Sequence, residues 1–253
     1  MHLSSVSELC LLPIRDINRS RTTPHVNRLI IVLNVVIFVV FWLSSIGVLN
    51  EKIAIYMAGN DETSGAFVMV PNDVLHGERL FTLFTSMFMH ANWFHLFGNM
   101  LFLFVFGDNV EDAFGHVGYL MFYLICGLAA DFAHIFVTLY APQISRMIGF
   151  QVAATSLDEG VVGASGAISG VLGAYFLLYP KAIVLTLFFY VILPVPAFIF
   201  LGIWFLLQWV YVAFDLSGGV AYFAHIGGFI AGMILALIFG LKRKRRQDER
   251  FRL

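Results

Sequence analysis

The chain has 253 residues, of which 60% are hydrophobic and 12% charged, with a formal net charge of −1. Soluble domains run nearer roughly 45–50% apolar and about 25% charged, so a water-soluble globular domain is excluded. A mean hydropathy of +0.86 and several apolar stretches of the roughly 20 residues needed to cross a bilayer indicate a polytopic membrane protein.

The first predicted span is Leu29 to Val48. Before it lies a tail, residues 1–28, with Arg15, Arg19, Arg21 and Arg28. Its start lacks a basic region followed by a long apolar run, so no cleavable signal peptide is expected. A polar stretch from Leu49 to about Arg79 follows, carrying Glu51, Asp61, Glu62, Asp73 and Glu78; a loop of this length often has a function. The second span is read from Phe88 to Phe106, then an acidic turn "GDNVEDAFGH", then a third span from Val117 to Tyr140. A loop from Ala141 to Val162 leads to the fourth span, Gly163 to Tyr179. Residues Ile183 to Phe214 exceed one span and are broken by Pro194 and Pro196, so the fifth is placed at Ala197 to Phe214, with an interfacial or partly buried piece before it. The sixth runs from Tyr222 to Leu241, and residues 242–253 form a basic tail.

The expectation is therefore an all-α, six-span bundle in one domain, residues 29–241. Basic residues concentrate at the two ends of the chain, with only Lys52, Arg79, Arg146 and Lys181 between. Two basic tails place both termini in the cytoplasm, which an even number of spans requires. They read as topology signals next to membrane helices, not as a nucleic-acid patch. Cys10 and Cys126 form no disulfide framework and no CxxC pair, and no HExxH motif is present. Neither a metal nor a cofactor is implied.

Polar residues inside spans are costly and usually functional. His90, His95 and Asn99 fall near the start of span two, Ser165 at the start of span four and His225 near the start of span six. Those three spans run in one direction, so their starts lie at similar depth. His95 and Asn99 are spaced i, i+4 and share a helix face. Span four carries Gly163, Gly166, Gly170 and Gly173, and span six Gly228 and Gly232; small residues at this spacing let two helices pack closely in lipid. His225 shares the face of Gly228 and Gly232, which puts it within reach of Ser165. A serine hydroxyl needs a base to take its proton, and histidine is the usual one. Asp131 and His134 in span three read as structural, or exposed at the outer loop.

The segments GASG (Gly163 to Gly166), AHIGG (Ala224 to Gly228) and HANWFHLFGN (His90 to Asn99) resemble the rhomboid family of intramembrane serine proteases, in that family's order of spans. The resemblance implies Ser165 as nucleophile and His225 as general base. It implies His95, Asn99 and the Ser165 amide as the oxyanion hole, and His90 and Gly163 in supporting roles. The substrates would be membrane proteins cut in or beside a transmembrane segment, within the lipid bilayer. A plasma membrane fits the compact form. The alternative is a catalytically inactive rhomboid-like protein that binds membrane clients; a proton-relaying transporter predicts acidic partners in the spans and helix breaks in paired halves, and the sequence shows neither clearly. The chain departs from the family in having Ser169 where some relatives carry a tyrosine against the base, which leaves the orientation of His225 to other contacts. It also has Phe81 and Thr82, with Arg79 slightly earlier, where many relatives carry a Trp-Arg pair that anchors the first loop. Pro194 and Pro196 make span five a candidate lateral gate against span two.

Overall fold

The computed structural model describes residues 12–18, 20–59, 65–149, 156–214 and 220–244. Cys10, Arg19, Asp61, Glu62 and the basic residues beyond Lys244 lie outside the described residues. In chain order the elements are β1 (Leu12–Asp16), α1 (His25–Ser45), α2 (Glu51–Ala58), α3 (Pro71–Leu75) and α4 (Thr82–Thr85), with a 3₁₀ turn at Ser86–Phe88. Next come α5 (Trp93–Phe114), α6 (His116–Ile148), α7 (Ser165–Leu178), β2 (Ile183–Phe188) and β3 (Val191–Pro196). The chain closes with α8 (Ala197–Ala213), α9 (Tyr222–Leu235) and a π-helical turn over Ala236–Gly240.

Helix α7 is the axis of the bundle. Every residue from Gly166 to Tyr175 is buried, and α5, α6, α8 and α9 all pack against it. The main core joins Leu103 and Phe106 of α5, Tyr123 of α6 and Val171, Leu172 and Tyr175 of α7. Outward faces carry exposed large apolar side chains, such as Leu29 and Val32 on α1 and Phe94 and Phe97 on α5. By length and composition, His25–Ser45, His116–Met147 and Tyr222–Lys244 can each cross a membrane, while Ser165–Leu178 and Ala197–Ala213 are shorter apolar helices.

Three expectations change. The fold is not wholly helical: β1 pairs with β2 and β2 with β3, both antiparallel, in a three-stranded sheet. The stretch expected to be interfacial before span five is the β2–β3 hairpin, and part of the expected N-terminal tail is its third strand. Nor do the acidic residues after Phe106 form a turn, because α5 continues to Phe114. Their carboxylates are held by the N-terminal segment instead. Glu111, fully buried, accepts from the Val26 and Asn27 amides at 3.0 and 2.7 Å, satisfying the open end of α1 as an N-terminal anion does. Asp112 accepts from the Thr22 amide and hydroxyl at 3.1 and 2.7 Å. Finally, α6 runs on through Pro142 to Ile148, into the expected loop.

The same end of the bundle holds β1 in place. Asp16 accepts from the Tyr175 hydroxyl of α7 and from Asn109 Nδ2 of α5 at 2.8 Å. Burial pushes the Asp16 carboxyl from its ordinary 3.8 up to about 7, against the pull of the Tyr175 hydrogen bond and with repulsion from Asp108. An unfolded chain releases this proton near 3.8 and the folded one keeps it to about 7. Stability from this group is thus fully present below the lower value and is lost as the pH rises through the upper one. Asp16→Asn keeps an acceptor oxygen and abolishes the titration. Thermal unfolding in detergent between pH 4 and 8 should show the wild type losing Tm relative to Asp16→Asn as the pH rises; parallel curves would refute the assignment.

Candidate active site

Helix α5 begins where Asn92 caps it, its side chain accepting from the His95 amide at 2.9 Å, the usual way such a residue satisfies an open helix start. That cap fixes the register of the first turn. His95 is half-buried and Asn99, one turn on, is buried. The Asn99 Nδ2 donor has no acceptor among the described residues. A buried, unpaired amide donor costs on the order of 1–3 kcal/mol. His90 is buried, and its ring packs edge-on against His95 with centroids 5.1 Å apart.

The segment that leads into α7 is clamped by the first long loop. Met69 and Val161 exchange backbone hydrogen bonds of 3.2 and 2.7 Å, the Asn72 amide donates to the Leu157 carbonyl at 2.9 Å, and the Gly163 amide donates to the Ser86 carbonyl at 2.9 Å. Arg79 ties the loop together. It pairs with Asp73 at 2.9 Å and donates to the Gly65 carbonyl. The anchoring left open by the missing Trp-Arg pair is therefore supplied by Arg79, three residues before Thr82. Gly163 has a φ of +134°, which side-chain-bearing residues rarely adopt. A methyl there would sit 2.8 Å from His95 Nε2 and 3.6 Å from Ser165 Oγ. The bare glycine thus leaves open the space that His95 and Ser165 share.

Ser165 is the first residue of α7. Its amide and the two after it have no acceptor within the helix. Opposite, α9 approaches α7 backbone to backbone. A Cβ at Gly228 would collide with the Gly166 carbonyl, and one at Gly232 with the Gly170 carbonyl. This contact delivers His225, buried at 8% exposure, to Ser165: Nε2 lies 2.8 Å from Oγ. Its other nitrogen, Nδ1, lies 2.9 Å from Oε1 of Gln208 on α8. The ring is flanked by Trp204 and Tyr222, at centroid distances of 6.0 and 5.9 Å. Ser169, where some relatives would carry a tyrosine, donates to the Ser165 carbonyl at 2.6 Å.

Ser165 and His225 lie within hydrogen-bond distance, and Gly163 lies between His95 and Ser165. Asn99 follows His95 one turn on along the same helix, and the His90 ring packs against the His95 ring. Asp131 and His134 are both buried on α6, which rules out exposure at a loop. Gln208 is the residue that sequence reasoning missed. Its signal is a single carboxamide in an otherwise apolar helix, AFIFLGIWFLLQWVYVA. Among the described residues no group of three His, Cys, Asp or Glu side chains is arranged to hold a metal ion.

A Rhomboid domain profile matches residues 77–242. The chain is 30% identical over 175 residues to "RHOMBOID-like protein 1" of Arabidopsis thaliana, covering 66% of this chain and 36% of that protein. It is 30% identical over 179 residues to "RHOMBOID-like protein 12, mitochondrial" of the same plant, covering 70% and 51%. It is 29% identical over 150 residues to "Rhomboid protein 1, mitochondrial" of Saccharomyces cerevisiae, covering 59% and 39%. The chain thus spans between about a third and a half of the length of these relatives. With the profile covering the helices that carry Ser165, His225 and the His95–Asn99 face, the chain belongs to the rhomboid family.

Proposed function

We propose that this chain is an intramembrane serine endopeptidase that cleaves membrane proteins in or beside their transmembrane segments. The observation that carries the reading is the 2.8 Å contact between Ser165 Oγ and His225 Nε2. In this mechanism His225 Nε2 takes the hydroxyl proton as Ser165 Oγ attacks the scissile carbonyl. The developing oxyanion is received by Asn99 Nδ2, by the His95 ring and by the Ser165 amide at the start of α7. His225 then hands its proton to the departing amine. Water enters, its oxygen attacks the acyl carbon as His225 Nε2 takes its proton, and that proton passes to Ser165 Oγ as the bond to the acyl group breaks and the acid leaves.

Helix length supports a site below the membrane surface. Fourteen residues of α7 rise only about 21 Å, less than the roughly 30 Å of hydrocarbon. The bundle would then use α1, α5, α6, α7, α8 and α9 as six spans, with both termini on one side. That side would be the cytoplasmic face, as the basic residues flanking α1 and α9 favour. Of the relatives named above, two carry a mitochondrial designation. They give no support to a plasma membrane over an organellar one.

Cleavage of a single-span reporter by the full chain in proteoliposomes tests the activity. Ser165→Ala and His225→Ala should each lower the rate by at least about 10³-fold, with unchanged Tm. Cleavage that persists in both would reject the dyad. Absence of cleavage by the wild type across a panel of reporters, with intact reporters still bound, would favour the inactive, client-binding alternative.

The oxyanion assignment has its own test. Asn99→Ala should cost about 10²–10³-fold in kcat with little change in KM, the loss typical of one removed oxyanion donor. A matched fall in affinity with kcat intact would make Asn99 a substrate-binding residue instead.

A further inference from the structure

We infer that Gln208 is the positioning residue of the base: it selects the tautomer of His225 that can accept the Ser165 proton, in the role a carboxylate plays in a three-residue serine protease site. The inference rests on the proposed Ser165–His225 chemistry and adds a third member on a third helix. Gln208 is 4% exposed. Its Nε2 donates to the Trp204 carbonyl, one turn earlier on α8, at 3.0 Å. A carbonyl can only accept, so the amino half of the carboxamide must face Trp204. The oxygen half is thereby turned to His225 Nδ1, 2.9 Å away. A carboxamide oxygen can only accept too, so Nδ1 must carry the proton. In the neutral ring Nε2 is then left with its lone pair aimed at Ser165 Oγ at 2.8 Å. The chain of constraint runs from a backbone carbonyl through an amide to the base, and leaves the ring no choice of tautomer. It supplies what Ser169 does not, because that side chain is engaged with the Ser165 carbonyl.

Three substitutions test this. Gln208→Met keeps the side-chain length and loses the acceptor. Gln208→Glu keeps an acceptor oxygen. Gln208→Asn keeps the polarity and withdraws the oxygen by one methylene. Reporter cleavage should fall by about 10–100-fold in kcat for Met, with KM within about twofold of wild type and Tm unchanged. Labelling of Ser165 by a fluorophosphonate should slow in parallel. The Glu variant should recover to within about threefold of wild type, and Asn should resemble Met. Wild-type kcat in the Met or Asn variant, or a Glu variant as slow as Met, overturns the inference while leaving the dyad intact. Failure of the dyad itself is read separately, as cleavage by Ser165→Ala.

A second inference rests on the opposite end of the bundle and needs no catalytic reading. The β2–β3 hairpin, Ile183 to Pro196, has no charged side chain. Its polar side chains are Thr186, fully buried, and Tyr190 at the tip, 98% exposed. Phe189, Val191 and Ile192 are exposed beside it. In water an apolar edge strand such as β3 is a template for unwanted pairing. The hairpin leads without a break into α8, whose Phe198, Ile199, Ile203 and Leu206 continue the exposed apolar surface. Exposed Lys181 and Arg15 stand at its base.

We propose that the hairpin tip is an anchor seated at the headgroup boundary of the leaflet on the side of the chain termini. Aromatic side chains favour that depth, and the two cations suit an anionic lipid surface. The open backbone groups of β3 keep it out of the hydrocarbon, and Pro194 reduces their number. The test uses the full chain with Cys10→Ser and Cys126→Ala, spin-labelled through Tyr190→Cys, in vesicles of neutral and anionic phospholipid. Relaxation by oxygen should exceed that by a water-soluble nickel complex, and the ratio should rise with the anionic fraction. Accessibility to nickel equal to that of a label at exposed Asp158 would place the tip in water. Protection from both reagents would place it against protein. Either result overturns the anchor.

Discussion

The approach of α9 to α7 is the contact on which the site depends. Where each helix shows a glycine to the other, backbone meets backbone, and even one methyl at Gly228 or Gly232 would strike a carbonyl of α7. Lipid offers no hydrophobic drive for two apolar helices to meet, so close van der Waals contact between small residues has to supply it. The short separation is also what the chemistry requires. Ser165 and His225 both have short reach beyond Cβ, and their 2.8 Å contact is made from the two helices that this glycine packing holds together. Helix packing and the Ser165–His225 contact are therefore set by the same glycines, and a change that loosens one loosens the other.

The end of the bundle near the termini is organised by the opposite principle, the burial of polar groups in matched sets. Glu111 is fully buried yet accepts two backbone amides at the start of α1. Asn27 of that helix in turn receives the Tyr119 hydroxyl at 2.8 Å and donates to the Leu103 carbonyl at 3.1 Å. Buried carboxylates are tolerable when their lone pairs are met in this way. The result ties α1, α5 and α6 together at one end, while the glycine contact ties α7, α6 and α9 through the middle. The first loop, locked by Arg79 and by the Met69–Val161 bridge, closes the far end over Ser165.

What could be read from sequence follows from how local each signal is. Ser165 and His225 were legible because their helices advertise the contact in a four-residue spacing of small residues, and His95 and Asn99 because i, i+4 places them on one face. The sheet was illegible because LPIRD is five residues whose partner strand lies about 170 positions away, and no local pattern announces that pairing. The acidic run after Phe106 was misread for a related reason. Carboxylates ordinarily end a membrane span, but here the donors that satisfy them come from residues 22–27, out of sight in the linear chain. Gln208 belongs to no motif. Its meaning appears only when the Trp204 carbonyl and His225 Nδ1 are found on either side of it.

That last case bears on why a bundle of this kind would hold an amide where a soluble serine hydrolase holds a carboxylate. An ionised carboxylate beside His225 would have to be desolvated among Trp204, Tyr222 and the helix backbones, a cost of several kcal/mol for an unpaired ion even after relaxation. In an apolar layer it would take up a proton before it paid that cost; with its hydroxyl on the Trp204 carbonyl it would still offer its second oxygen to His225 Nδ1, but it would bring no charge to the ring. A carboxamide cannot change its protonation state, and with its amino half occupied by a backbone carbonyl it can present only an acceptor to the ring. It stabilises the charged imidazolium less than an anion does, but whenever the ring is neutral it is held in the tautomer that faces Ser165 with a lone pair. The apolar surroundings that make a charge expensive thus favour an orienting group whose hydrogen-bonding sense is fixed by covalent structure.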